Sequence, residues 1–114
     1  MDQKLISLRQ QEIETSIVFI RVQLVYLDAT APYAGKPESE LKEAAEGYRK
    51  AIELYDDALQ ELREYLLAAE PSEAIAMELE HTERLINALE KEKRMGSKLI
   101  ERHIKLTGRQ AEEE

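Results

Sequence analysis

The sequence contains no cysteine and no tryptophan, and only one phenylalanine, four glycines and three prolines in 114 residues. Without cysteine there is no disulfide scaffold, no thiolate zinc site and no cysteine nucleophile. With so few turn formers and 5% aromatics, an all-β sandwich and its many turns are excluded. Long hydrophobic runs are missing too. The most apolar stretch, Ile17 to Leu27, is interrupted by Arg21 and Gln23. It falls short of the ~20 residues a membrane-spanning helix needs. It also lies behind Glu12 and Glu14, unlike the core of a signal peptide. No membrane partner is expected, and the cytoplasm is the default compartment.

What is present points to helices. Apolar residues make up 43% and charged residues 35%, a balance suited to long helices washed by solvent on one side. The formal net charge is -8, with a sequence pI near 4.9. Such an acidic chain repels nucleic acid and anionic lipid, so neither is expected as a partner. The length fits one domain, expected over residues 1–108, followed by a disordered acidic tail at 109–114.

Breaks and periodicity divide this domain. Ala31-Pro-Tyr-Ala-Gly-Lys-Pro37 cannot be helical. Ala69-Glu-Pro-Ser72 is a second, shorter break, with Pro71 suited to a helix's first turn. Between them Leu41, Ala45, Tyr48, Ile52, Tyr55, Leu59, Leu62, Leu66 and Ala69 alternate steps of four and three. This is an a/d seam, the mark of a helix packed along its whole length. The seam resumes at Ile75, Leu79, Thr82, Ile86 and Leu89, then loses phase at Lys93 and Gly96. Apolar residues return at Leu99, Ile100, Ile104 and Leu106. The expected fold is all-α: an elongated antiparallel bundle of three long helices, at about 3–30, 38–69 and 72–106. A short fourth helix after Gly96 is the alternative to one long final helix.

The first segment is apolar on two sides. Ile6, Ile13, Ile17, Ile20, Leu24 and Leu27 form one helical face. Val18, Val22, Val25 and Ala29 lie opposite, flanked by Phe19 and Tyr26. The chain's other helices can cover one side, and a helix apolar on two sides needs burial on both. Val18, Phe19, Val22, Val25 and Tyr26 are therefore the expected partner-binding residues.

Catalytic constellations are incomplete. Glu78-Leu-Glu-His81 has the Glu-x-x-His spacing of di-iron bundles, but His103 follows Glu101 by two residues rather than three. No metal, cofactor or catalytic site is expected. The carboxylate pairs Glu40 with Glu43 and Glu53 with Asp56 resemble those of the all-helical MazG-type nucleotide pyrophosphohydrolases. Here both sit on one continuous helix, roughly 15 Å apart by helical rise. Leu5-Ile-Ser-Leu-Arg9, with Lys36 and Arg49, resembles the small helical chorismate mutases. Val25-Tyr26-Leu27 stands where that family has a second arginine, and Lys50 where it has an acidic residue. Gly47 to Leu59 is similar in spacing to helices of tetratricopeptide repeats and of microtubule-interacting-and-trafficking domains, though no 34-residue period exists.

These features favour a non-enzymatic protein–protein interaction module, of the small adaptor, chaperone or anti-activator type. It would cover an apolar helix face of a second copy, as a homodimer, or of another protein. The alternative is a small helical enzyme with a site at a subunit interface, chorismate-mutase-like or MazG-like, using Arg9, Lys36 and Arg49.

Overall fold

The computed structural model describes the backbone of residues 2–31 and 35–113, and side chains through residue 95. Three helices follow one another: α1 (Gln3–Ala29), α2 (Glu38–Ala68) and α3 (Glu73–Glu113). Among the described residues there is no strand. The bundle is a rod of 63 × 19 × 17 Å. No described helix is long and apolar enough to cross a membrane.

Local chemistry sets the helix ends. Asp2 caps α1, its Oδ1 accepting from the amides of Lys4 at 3.0 Å and Leu5 at 3.4 Å. Gly35 precedes α2 with φ 61, a left-handed backbone that other residues adopt only with strain. Ser72 caps α3, its Oγ accepting from the Ile75 amide at 3.1 Å. Pro71 thus sits before the cap, not inside the first turn of α3. The α3 backbone continues through Gly96 and Gly108 to Glu113, past the expected end near 106 and with no separate fourth helix. A helical glycine costs only about 1 kcal/mol against alanine, too little by itself to break a long helix. The side chains of Leu99, Ile100, His103, Ile104 and Leu106 lie outside the described residues, as do Pro32 to Ala34 of the first loop.

The α2 seam is the spine of the core. Tyr48, Ile52, Tyr55, Leu59, Leu62 and Leu66 are all buried, with Ala51 and Ala58 beside them. Leu62 and Leu66 pack with Leu8 of α1 and with Ile75 and Leu79 of α3. Toward the other end, Tyr48, Ile52, Tyr55 and Leu59 pack with Tyr26 of α1 and Leu89 of α3. Both neighbours therefore run antiparallel to α2. Consequently α1 and α3 run parallel, bridged in one register. Arg9 meets Glu78, and two heptads later Gln23 meets Glu92. Lys93, where the α3 seam loses phase, donates to Asp56 of α2 at 2.8 Å. A charged pair takes over there from the apolar seam.

The orientation of α1 reverses the expectation. Leu5, Leu8, Glu12, Thr15, Phe19, Val22 and Tyr26 form its inner seam, in unbroken steps of three and four. The more aliphatic face of Ile6, Ile13, Ile17, Ile20, Leu24 and Leu27 points outward.

Candidate partner-binding surface

The inner face of α1 is held by aromatic packing and polar pairs. Tyr26 stacks on Tyr48 at 4.8 Å between ring centroids, with an interplanar angle of 10°. Phe19 lies 5.9 Å from Tyr48 and 5.6 Å from Tyr55. Such pairs stabilise by roughly 1 kcal/mol beyond the area they bury. Around them most of the polar groups find partners, Arg9 Nη1 being buried without a hydrogen bond. Glu12 is only 6% exposed, and the Tyr55 hydroxyl donates to its Oε1 at 3.4 Å. Arg9 Nη1 lies 3.9 Å from the Glu12 Oε2, while Nη2 donates to Glu78 and, at 3.3 Å, to Thr82 Oγ1. Beside the aromatic cluster, Gln23 Nε2 and the Tyr48 hydroxyl each donate to Glu92 Oε1 at 2.7 Å. That single oxygen joins all three helices. Burial pushes the Tyr55 phenol up to about 12, helped by the neighbouring Glu12 carboxylate. Burial and then Glu92 raise the Tyr48 phenol further.

The five residues expected to bind a partner are divided by this packing. Tyr26 is 3% exposed, and Phe19 and Val22 pack against the core. These three are occupied by the chain's own α2 and are not free for a partner. Val18 and Val25 remain exposed, at 47% and 62%. Val25 borders a shallow depression of about 530 Å³ formed with Ala29, Ala44 and Gly47.

The free apolar surface is on the other side of α1. Ile6, Ile13, Ile17, Ile20, Leu24 and Leu27 are 44–62% exposed. With Gln10 they form a second seam of alternating four and three steps. Six large aliphatic side chains in one stripe reach the few hundred Å² at which apolar patches mark interfaces. Ile20 also enters the cleft between α1 and α3. This cleft holds about 290 Å³ and is lined by Phe19, Tyr55, Leu85 and Leu89, with Gln23 and Glu92 among its polar members. Sequence reasoning saw the stripe but turned it inward. The signal that decides the matter is the register of Leu5, Leu8, Phe19, Val22 and Tyr26, disguised by the polar members Glu12 and Thr15.

The cations weighed for an enzyme site are each engaged elsewhere. Arg9 pairs across to α3, Arg49 with Glu46 and Glu53 of its own helix, and Lys36 with Glu40. Among the described residues, no group of three or more His, Asp or Glu could hold a metal ion.

The fold and this surface define a class: a three-helix bundle with one filled core and an unfilled seam on its first helix. No family model, curated protein or solved structure matches the chain.

Proposed function

We propose that this protein is a non-enzymatic interaction module that works by covering an apolar helix face of a partner with the outer face of α1. The observation that carries this reading is the stripe from Ile6 to Leu27, a heptad seam left open to solvent. An exposed seam of this kind lacks only a matching helix to become a coiled-coil interface. Helix-on-helix docking of this sort occludes the face it covers and excludes that face's other partners. The regulatory, adaptor or chaperone character of the protein would follow from which face it covers. The cytoplasm is taken as the working compartment from the sequence alone.

The test is site-directed photocrosslinking in cells. A benzophenone amino acid replaces Leu24 in one variant and Lys50, on the solvent side of α2, in another. Adducts to a discrete protein at Leu24 but not at Lys50 are expected. Equal or absent labelling at the two positions would sink the reading. A second check is Leu24→Glu, which should abolish capture from a distant stripe position such as Ile13.

A further inference from the structure

The reading above leaves open what covers the stripe. Resting on that reading, we propose that the occupant is a second copy of this chain, with the two α1 helices antiparallel about a two-fold axis between Ile17 and Ile20. Three observations point there.

The first is register. In an antiparallel pair of heptad seams, a positions of one helix meet d positions of the other. Placing the axis between Ile17 and Ile20 pairs Ile17 with Ile20, Ile13 with Leu24 and Gln10 with Leu27. The Ile17–Ile20 and Ile13–Leu24 layers set apolar against apolar, the one polar member, Gln10, meets Leu27 in the outer layer where water reaches it, and Ile6 lies beyond the paired layers. All these positions are exposed on the single chain.

The second is charge. Along the flank of the stripe away from α3 stand Glu14 and Arg21, one on each side of the axis. The two-fold operation brings Glu14 of one copy toward Arg21 of the other, and the reverse pair forms by symmetry. Neither has an ion-pair partner among the described residues, unlike Arg9, Arg49 and Lys93, and Glu14 only accepts a long hydrogen bond from Gln10 Nε2 at 3.4 Å. The other flank carries the neutral Ser16 and Gln23 beyond Arg9, so no like charges oppose there.

The third is where the chain's net charge resides. α1 carries Lys4, Arg9 and Arg21 against Glu12, Glu14 and Asp28, and is neutral. α2 carries nine acidic residues against four basic ones. Copies of a chain with net charge -8 repel least where α1 meets α1. The internal competitor is also removed. The α3 backbone runs straight through Gly96, so no fourth helix returns from that point over the stripe.

Solution mass by light scattering, from low to high micromolar, tests the proposal on five proteins. Wild type is expected to be a dimer. Ile17→Glu puts two carboxylates at the axis and should weaken association by more than about a hundredfold. Arg21→Glu sets like charges against each other across the interface and should weaken it by roughly tenfold. Glu14→Arg should act alike, and the double swap Glu14→Arg with Arg21→Glu should restore most of the loss. Circular dichroism checks that each variant keeps its helices, since all these positions lie outside the core.

Orientation is read with single cysteines, because the chain has none of its own. Under oxidation, Gln10→Cys mixed with Leu27→Cys should give a mixed disulfide, and Gln10→Cys alone should not. A self-linked Gln10→Cys would overturn the antiparallel arrangement. A folded wild-type monomer at all concentrations, or a dimer that Ile17→Glu leaves intact, would overturn self-pairing. The Leu24 photocrosslink separates this failure from failure of the underlying reading. An adduct heavier or lighter than two chains would retain the interaction module with a different occupant, and no adduct would remove both.

Discussion

The two faces of α1 invert the usual rule. The outer face holds four isoleucines and two leucines, yet it lies in solvent. The inner face buries a glutamate and includes a threonine. The difference teaches that the more aliphatic side of a helix is not always the side that packs at home. Aromatic area and polar complementarity decide here. Phe19 and Tyr26 find rings from Tyr48 and Tyr55 at stacking distance, and Glu12 finds the Tyr55 hydroxyl and Arg9. The outer face has nothing comparable within the chain. A purely aliphatic seam can be covered by any matching seam, including its own copy.

The sharpest way to break this comparison is to truncate a leucine on the shared spine. Leu62 is fully buried between α1 and α3. Leu62→Ala should cost about 3–4 kcal/mol in urea unfolding. Ile20→Ala on the outer face should cost under about 1 kcal/mol at low protein concentration, and more as the concentration rises. Equal costs for the two at low concentration would mean that the outer face is packed within the chain.

Alkaline pH weakens the inner face next. The Tyr55 phenol sits at about 12 in the folded chain against an ordinary value of 10.0, and Tyr48 and Tyr26 are raised in the same direction. The unfolded chain releases these protons first, so the folded state binds more protons above pH 10. Their contribution is fully present below the ordinary phenol value and is lost as pH climbs toward 12. For Tyr55 alone the loss is on the order of 2 kcal/mol. Denaturant midpoints measured from neutral to strongly alkaline pH should fall over this window, and Tyr55→Phe should flatten the decline. A midpoint that stays level would remove the phenols from the account.

Arg9→Ala probes the polar side of the comparison. It removes the bridge to Glu78 and Thr82 and leaves the buried Glu12 with Tyr55. A loss of about 2 kcal/mol is expected. A double-mutant cycle with Glu78→Ala should show coupling of at least about 0.5 kcal/mol, the lower bound for residues in one network. Additive losses would mean that the pair contributes little.

The smallest effect is a gain. Gly47 lies inside α2, in its third turn, and a Cβ there would meet the Val22 side chain at an ordinary 3.9 Å. Gly47→Ala should raise stability by about 0.5–1 kcal/mol. A loss instead would show that α1 and α2 are pressed together more tightly at that point than elsewhere along the seam.

Much of the fold was legible because α2 is apolar at every seam position from Tyr48 to Leu66, and all six are buried. The α3 seam was legible for the same reason, including Thr82, whose hydroxyl returns to the Glu78 carbonyl at 2.8 Å. The α1 register was not, because Glu12 and Thr15 interrupt the apolar count on the side that packs. Spacing does not mark Glu12 as buried: Arg9 stands one turn before it on the same helix, an arrangement equally common on exposed faces, and Tyr55 reaches it from α2. The candidate surface was half legible. Two apolar faces on the first helix were evident, and of the residues chosen for the partner only Val18 and Val25 stay exposed.

Periodicity and punctuation alone determined three helices, the two loops between them and their antiparallel order, but not the end of α3, since seam spacing and proline positions act within a few turns of chain. Which side of α1 faces home was decided only by tertiary structure. That choice depends on rings and charges brought together from three helices, and such complementarity has no signature in the spacing of any one of them.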